Sequence, residues 1–303
     1  MLGGCDQLFS FERGAEEPPP VRDLVVGEIA TEVVVDRDEV FWLTAHELRS
    51  CQLPVCSPRT LLGSLTMPVA LRVAGEQVEY AEGSMVYRVP RVGGAKSQVV
   101  ESQNGRTIIS FVQLQSRLFY THERISVCTY VADGPCTFTS GLFVEIFGPI
   151  VADATQRIWG AGPASGGGWG MYVIVNPATT ADTLQLVSTS SVAIRAIAAS
   201  VPRVFAIQAT GDEVLEWPAT AGRDTQPTVA LVVPAASAIA VDAASVWVAS
   251  ATGEVWRRRL VDGPDQAVLI TKDSVVIRAL AVGTDVAVVA MDDRISAFDV
   301  PAL

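Results

Sequence analysis

Residues Pro234–Lys272 read PAASAIAVDAASVWVASATGEVWRRRLVDGPDQAVLITK. Four short apolar runs, AIAV, SVWVAS, EVWRRRL and AVLIT, are separated by the joints VDAA, ATG and VDGPDQ. Valine, isoleucine and tryptophan suit an extended pleated backbone, whereas Asp, Gly and Pro supply turn geometry. Four antiparallel strands in about forty residues make one blade of a β-propeller. The second run carries a bulky or aromatic marker, and this marker recurs at Val40-Phe41-Trp42, Val78-Glu79-Tyr80, Leu118-Phe119-Tyr120, Ile158-Trp159, Val204-Phe205, Val246-Trp247 and Val286-Ala287. The steps between successive markers are 38, 40, 40, 46, 42 and 40 residues. A steady period of this size is what stacked four-stranded blades require.

The expected architecture is therefore all-β, a seven-bladed propeller. Six blades is the alternative if blade 3 or blade 4 is divided wrongly. The seventh repeat stops at Leu303 after its third strand, RISAFDV. Its missing outer strand is available at the other end of the chain, in Arg22-Asp23-Leu24-Val25-Val26. Such a closure removes the sheet edges that invite aggregation. Residues 1–20 are set apart as a tether and residues 21–303 as the propeller.

The chain has 303 residues, is 49% apolar and 18% charged, and carries a formal charge of −11. A general nucleic-acid binder needs a basic field to meet phosphates, so no nucleic acid is expected as partner. An anionic membrane surface is disfavoured on the same ground. No apolar run is long enough for a spanning helix.

The first five residues, Met1-Leu2-Gly3-Gly4-Cys5, contain Leu-Gly-Gly-Cys, which resembles the lipobox of a bacterial lipoprotein. That resemblance implies lipidation at Cys5, although the basic and apolar parts of a signal are missing from this sequence. The following FERGAEEPPPVRD is polar and Pro-rich, as suits a stiff solvated tether. A chance match at a frayed terminus is the alternative.

Five cysteines are present. Cys51 and Cys56 flank QLPV between the third and fourth strands of blade 1, and Cys128 and Cys136 hold the equivalent place in blade 3. Each pair sits across one hairpin, where α-carbons come within disulfide range. Disulfides imply an oxidising compartment. The competing reading, one zinc held by all four thiols, has to bridge two blades without a nearby histidine.

The run VDAASVWVASATGEVWRRRLVDGPDQAVLIT resembles the repeat of bacterial secreted and lipoprotein β-propellers of the NHL/YWTD-like kind. MVYRVPRVGGAKSQVV fits the second half of that repeat, and RSCQLPVCSPRTLLG resembles its variant with two cysteines around the third hairpin. The resemblance implies fold and export. It carries no catalytic residues.

Chemistry-bearing residues are few. His46 and His122 are the two histidines, both in turns between second and third strands and both read as surface residues. Propeller lyases that use channel-facing histidines with a metal need a supply at inner strands that this chain lacks. Neither a metal nor a cofactor is expected, and no G-x-S-x-G or EF-hand pattern occurs. Asp36, Asp153 and Asp242 recur after inner strands and are assigned to their own turn backbones. Arg257-Arg258-Arg259 is read as a solvated third strand, with a carboxylate or sugar ligand as the sharper alternative. GAGPASGGGWG (160–170) enlarges a turn and is read as a flexible hairpin tip, with a mobile insert lying over one face as the sharper alternative and Trp169 as its ligand-contacting candidate. The inner strands EVVV, VALRV, IISFV, PIVAD, IRAIA, AIAV and IRALAV are mostly apolar, and Arg72, Arg195 and Arg278 interrupt them. Arginines lining a central channel would hold an anion; the alternative is that they pair with acids between blades.

The expected function is a non-enzymatic binding or scaffold protein of the cell envelope, periplasmic or on the outer surface, with secretion as the alternative. It meets the membrane only through a lipid anchor, and a monomer is expected. Its ligand, a protein or a glycan, would sit on the face carrying the turns between strands 2 and 3 and between blades. The alternative is a propeller hydrolase or lyase with a site at the channel mouth. Three or more convergent ionisable side chains on inner strands would favour the enzyme.

Overall fold

The computed structural model describes residues 20–122, 124–130, 134–142, 148–164, 166–175, 183–261 and 267–300. They form seven antiparallel sheets of four strands each. Six of these run in simple sequence order from an inner strand outward. In the seventh, Arg22–Val26 pairs antiparallel with Arg294–Asp299, so the N-terminal strand completes the last blade. The Ser296 hydroxyl donates to an Asp23 carboxylate oxygen at 2.6 Å across this closure. Gln103–Gly105 is the one helical piece among the described residues, a single 3-10 turn.

The second strands explain why blades form where they do. Glu39–Leu43, Ser245–Ser250 and Val286–Met291 are buried along their whole lengths. A blade is packed on both faces by its neighbours, so its middle strands read as continuous apolar runs and lack the alternation of a half-solvated sheet. The core is accordingly divided among seven seams. Phe41, Leu48, Val78 and Tyr80 fill the seam between blades 1 and 2, and Phe205, Leu231, Val246 and Val248 fill that between blades 5 and 6. The seam between blades 7 and 1 is equally apolar, with Val25, Val33, Trp42, Val288 and Ile295. Burying each Phe, Leu or Val contributes roughly 1.5–3 kcal/mol relative to exposure.

The recurring aspartates do more than cap turns. Asp242 accepts from the backbone N–H groups of Ala244 and Ser245, and its second oxygen accepts from the Trp247 indole at 2.7 Å. Asp153 repeats the device, holding Thr155 and Arg157 backbone and the Trp159 indole. A buried tryptophan of the second strand is thus anchored by the turn before it. At the next turn, Gly253 has φ +86°, and a Cβ there would lie 2.1 Å from the Asp273 carbonyl oxygen, so the Gly of ATG is obligatory.

Both cysteine pairs of blades 1 and 3 are disulfides, with α-carbons 5.0 Å apart for Cys51–Cys56 and 5.5 Å for Cys128–Cys136. Cys5 and most of the 1–20 tether lie outside the described residues.

The glycine-rich stretch of blade 4 forms the hairpin expected of it. Ile158–Pro163 and Trp169–Val175 pair through to Pro163 and Trp169, so the stretch is hairpin rather than an inserted flap. The Ala164 N–H donates to the Gly168 carbonyl, and positive φ at Gly167 and Gly168 tightens the turn. Glycines are required there because the backbone closes on itself; a Cβ on Gly168 would meet the Ser190 carbonyl oxygen at 2.7 Å.

Candidate binding site at the channel mouth

Inner strands run from one face of the ring to the other, so their first residues surround one mouth of the axial channel. Four of them carry the same irregularity. The register slips by one residue between Val69 and Leu71, Ile194 and Ala196, Ala236 and Ala238, and Ile277 and Ala279. The extra residues are Ala70, Arg195, Ser237 and Arg278. A β-bulge leaves its extra residue unpaired and re-aims the side chain. The paired Ile-Arg-Ala of blades 5 and 7 is therefore a matched pair of bulges.

The matched bulges end differently. Arg278 is tied by its Nε to Asp292 in the nearby turn between strands 2 and 3. Ser237 is buried and donates to the Ile277 carbonyl of blade 7 at 2.8 Å, joining two inner strands. Arg195 is exposed and lines a cavity of about 440 Å³ together with Glu32, Ser110, Phe111 and Ile197. Among the described residues no carboxylate lies within ion-pair distance of it. Glu32, at the head of the first inner strand, is half-buried in the same wall and its carboxyl likewise has no side-chain partner among the described residues. Burial pushes that carboxyl up to about 7, because an ionised group loses hydration that nothing replaces.

Arg72 goes elsewhere. It donates to Glu79 at 3.2 Å and to Gln113 at 2.6 Å, which places it in the seam between blades 2 and 3. Glu79 is fully buried and also accepts from the Tyr130 hydroxyl at 2.6 Å. Trp169 is half-buried at the start of its strand, on the same face as the mouth but outside the cavity wall. Of the four residues singled out for ligand contact, Arg195, Arg278 and Trp169 share a face, and Arg195 alone of them lines the cavity.

Two further expectations are corrected. His122 is buried, with its Nε2 2.9 Å from the Ser126 hydroxyl, so it is not a surface turn residue; the turn folds back onto its own third strand. His46 is exposed, as expected, and its Nδ1 lies 3.2 Å from the Leu65 carbonyl. Arg257 and Arg258 are buried rather than solvated. Arg257 lies over the Trp247 ring at 4.7 Å and donates to the Ser245 hydroxyl. Arg258 points the opposite way, over Phe205 of blade 5, and pairs with Glu216. Arg259, at the end of the strand, is exposed as expected.

The opposite opening of the channel is larger, about 620 Å³, and lined by Asp36, Asp242, Arg257 and the exposed turn tips Arg37 and Asp285. Its inward-facing charges are already used: Asp36 pairs with Arg91 at 2.8 Å, and Asp242 and Arg257 are held as described. Among the described residues no group of three or more His, Cys, Asp and Glu is placed to hold a metal.

Glu32 is the site residue that sequence reasoning missed. The signal was present, since it is the one acid opening the otherwise apolar run EVVV. It was obscured because a Glu at the start of a strand reads as an ordinary turn-flanking residue.

No protein-family model and no curated protein matches the sequence. Solved structures do match in shape. The chain is similar to virginiamycin B lyase from Staphylococcus aureus, with a TM-score of 0.72 and 12% identity over 93% of this chain and 99% of that one. It is similar to the Pan2 WD40 domain of Neurospora crassa, with a TM-score of 0.72 and 10% identity over 95% and 98% of the two chains. It is also similar to the extracellular domain of a B. thetaiotaomicron protein described as a one component system, with a TM-score of 0.70 and 11% identity over 93% of this chain and 40% of that one. At these identities the likeness establishes a β-propeller of the kind that serves lyases, WD40 domains and extracellular domains alike.

Proposed function

We propose that this protein is a non-enzymatic binding module of the cell envelope that takes its ligand at the channel mouth beside Arg195. The observation that carries this reading is the cavity lined by Arg195 and Glu32, whose charges have no protein partner among the described residues. Among the described residues two ionisable groups line the cavity, fewer than the three that would favour a hydrolase or lyase, and both histidines lie outside its wall.

Two features support an envelope location. Disulfides in two hairpins suit an oxidising compartment. The strand Arg22–Val26 begins at the Asp299 end of its partner, so the tether leaves from the face opposite the mouth. A protein anchored through Cys5 would then present the mouth away from the membrane.

The test has two parts. Cells expressing the chain with its natural upstream region are quenched with acid, denatured and alkylated. Blocked thiols at Cys51, Cys56, Cys128 and Cys136, with the protein in the envelope fraction, are expected; four alkylated thiols and a cytosolic protein would sink the location. Purified protein immobilised at its N-terminus is then challenged with envelope extract. Retention of a ligand that Arg195→Glu loses supports the site, whereas chemical conversion of that ligand by the soluble protein would restore the enzyme reading.

A further inference from the structure

Resting on that reading of the mouth, we propose that the ligand group held there is a carboxylate, either of a small free acid or of the C-terminus of a peptide, with Arg195 as its cation and Glu32 as the group that gates it. The open part of the wall is mostly polar, because Phe111 and Ile150 are buried while Arg195, Glu32 and Ser110 face the cavity.

The charge argues for a single carboxylate. A planar guanidinium binds a carboxylate through two parallel N–H donors. One arginine supplies one such fork. The matched bulge of blade 7 shows the same geometry satisfied internally, since Arg278 is already held by Asp292. At blade 5 the corresponding acid is missing, and the cavity is open in front of the guanidinium.

Glu32 makes the site respond to pH. Protonated, its O–H is a hydrogen-bond donor for the arriving carboxylate; ionised, it repels it. The charged groups on the strands packed against its strand are otherwise engaged, and Arg37 and Asp38 of its own hairpin stand exposed at the opposite face of the ring. On the adjoining inner strands Arg278 is bound to Asp292 and Arg72 to Glu79; on its own hairpin Asp36 is bound to Arg91, and Glu39 to Arg59 and Arg91. Arg195 is the remaining charge in the wall. Carboxylate affinity is therefore expected to fall as pH rises through about 7, the range to which burial has moved Glu32.

Calorimetric titration of the full chain with hexanoate, and with a short peptide ending in leucine, tests this. Hexanamide and the C-terminally amidated peptide are the neutral controls. One acid is expected to bind and its amide not to, and which acid binds more tightly separates the free source from the peptide source. Arg195→Gln is expected to weaken binding about ten-fold or more, the size of a lost charge-assisted contact. Arg278→Gln is expected to leave it within about two-fold, a difference well below one such contact. Glu32→Gln should bind and lose the pH dependence. Equal binding of acid and amide, no binding of either acid at millimolar concentration, or full affinity in Arg195→Gln overturns the proposal. An envelope ligand still retained in an Arg195-dependent way after such a failure would leave the binding function standing with a different ligand class.

Discussion

The seam between blades 5 and 6 and the mouth of the channel both contain arginine and glutamate, and they use them in opposite ways. In the seam, Glu216 is buried and accepts from Arg203 of its own blade and Arg258 of the next. Glu39 between blades 1 and 2 is treated alike, held by Arg59 at 2.6 Å and Arg91 at 3.4 Å. At the mouth, Arg195 and Glu32 line one cavity and do not pair. A charge desolvated between blades has to be matched, because an uncompensated ion in that medium costs several kcal/mol. The exposed Arg195 keeps its hydration and can be left open, whereas burial makes Glu32 hold its proton more tightly. In this propeller, matched charges staple blades together, and the unmatched pair at the mouth is where the proposed ligand would bind.

Removing the acid from the seam should give the largest effect. Glu216→Gln leaves the Arg258 guanidinium, 2% exposed, without its carboxylate. The expected loss is about 3 kcal/mol, in line with other broken buried pairs. Urea unfolding followed by tryptophan fluorescence measures it, since Trp217 and Trp247 flank this region. A loss below about 1 kcal/mol would mean that the apolar seam alone joins the blades and that the contrast with the mouth is false.

Neutralising the acid at the mouth should act with the opposite sign. Glu32 ordinarily titrates at 4.5 and in the fold at about 7, so between these pH values the native state holds more protons than the unfolded one. Stability then falls as pH rises across that window, and the penalty is complete above it. Glu32→Gln removes the penalty. The variant should match the parent near pH 4 and exceed it at pH 8 by about 1–3 kcal/mol, discounted for a wall that still sees water. Parallel stability curves over pH 4–8 would show that Glu32 is not strained at the mouth.

Much of this was legible in the residues. A marker strand recurring about every forty residues, with turn chemistry between, fixes the number of blades and their closure by Arg22–Val26. The hairpin positions of Cys51, Cys56, Cys128 and Cys136 were enough to pair them. Burial of charge was not legible. RRR at 257–259 reads as a solvated strand, because a one-dimensional pattern does not show that a neighbouring blade covers the outer face. Glu216 lies 42 residues from Arg258, one repeat away, and only the ring brings them together. The mouth was half legible: IRAIA and IRALAV revealed matched arginines, but Asp292, which decides which of them is free, lies 14 residues from Arg278 in a different turn.

The finest form of the contrast lies within that matched pair of bulges, and its effects should be the smallest. Arg278 and Asp292 are partly exposed, so a double-mutant cycle between them should return about 0.2–1 kcal/mol. High salt should shrink this coupling, since exposed charges are screened within a few ångströms at molar ionic strength. Arg195 occupies the same register in blade 5 and has no acid partner among the described residues. Arg195→Gln should therefore change stability by less than about 0.5 kcal/mol, with no salt dependence. Its effect belongs to ligand affinity instead. If Arg195→Gln were as destabilising as the seam variant, its guanidinium would be a structural staple like Arg258. The mouth would then hold no open cation, and the distinction between charges that join blades and charges that await a ligand would fall with it.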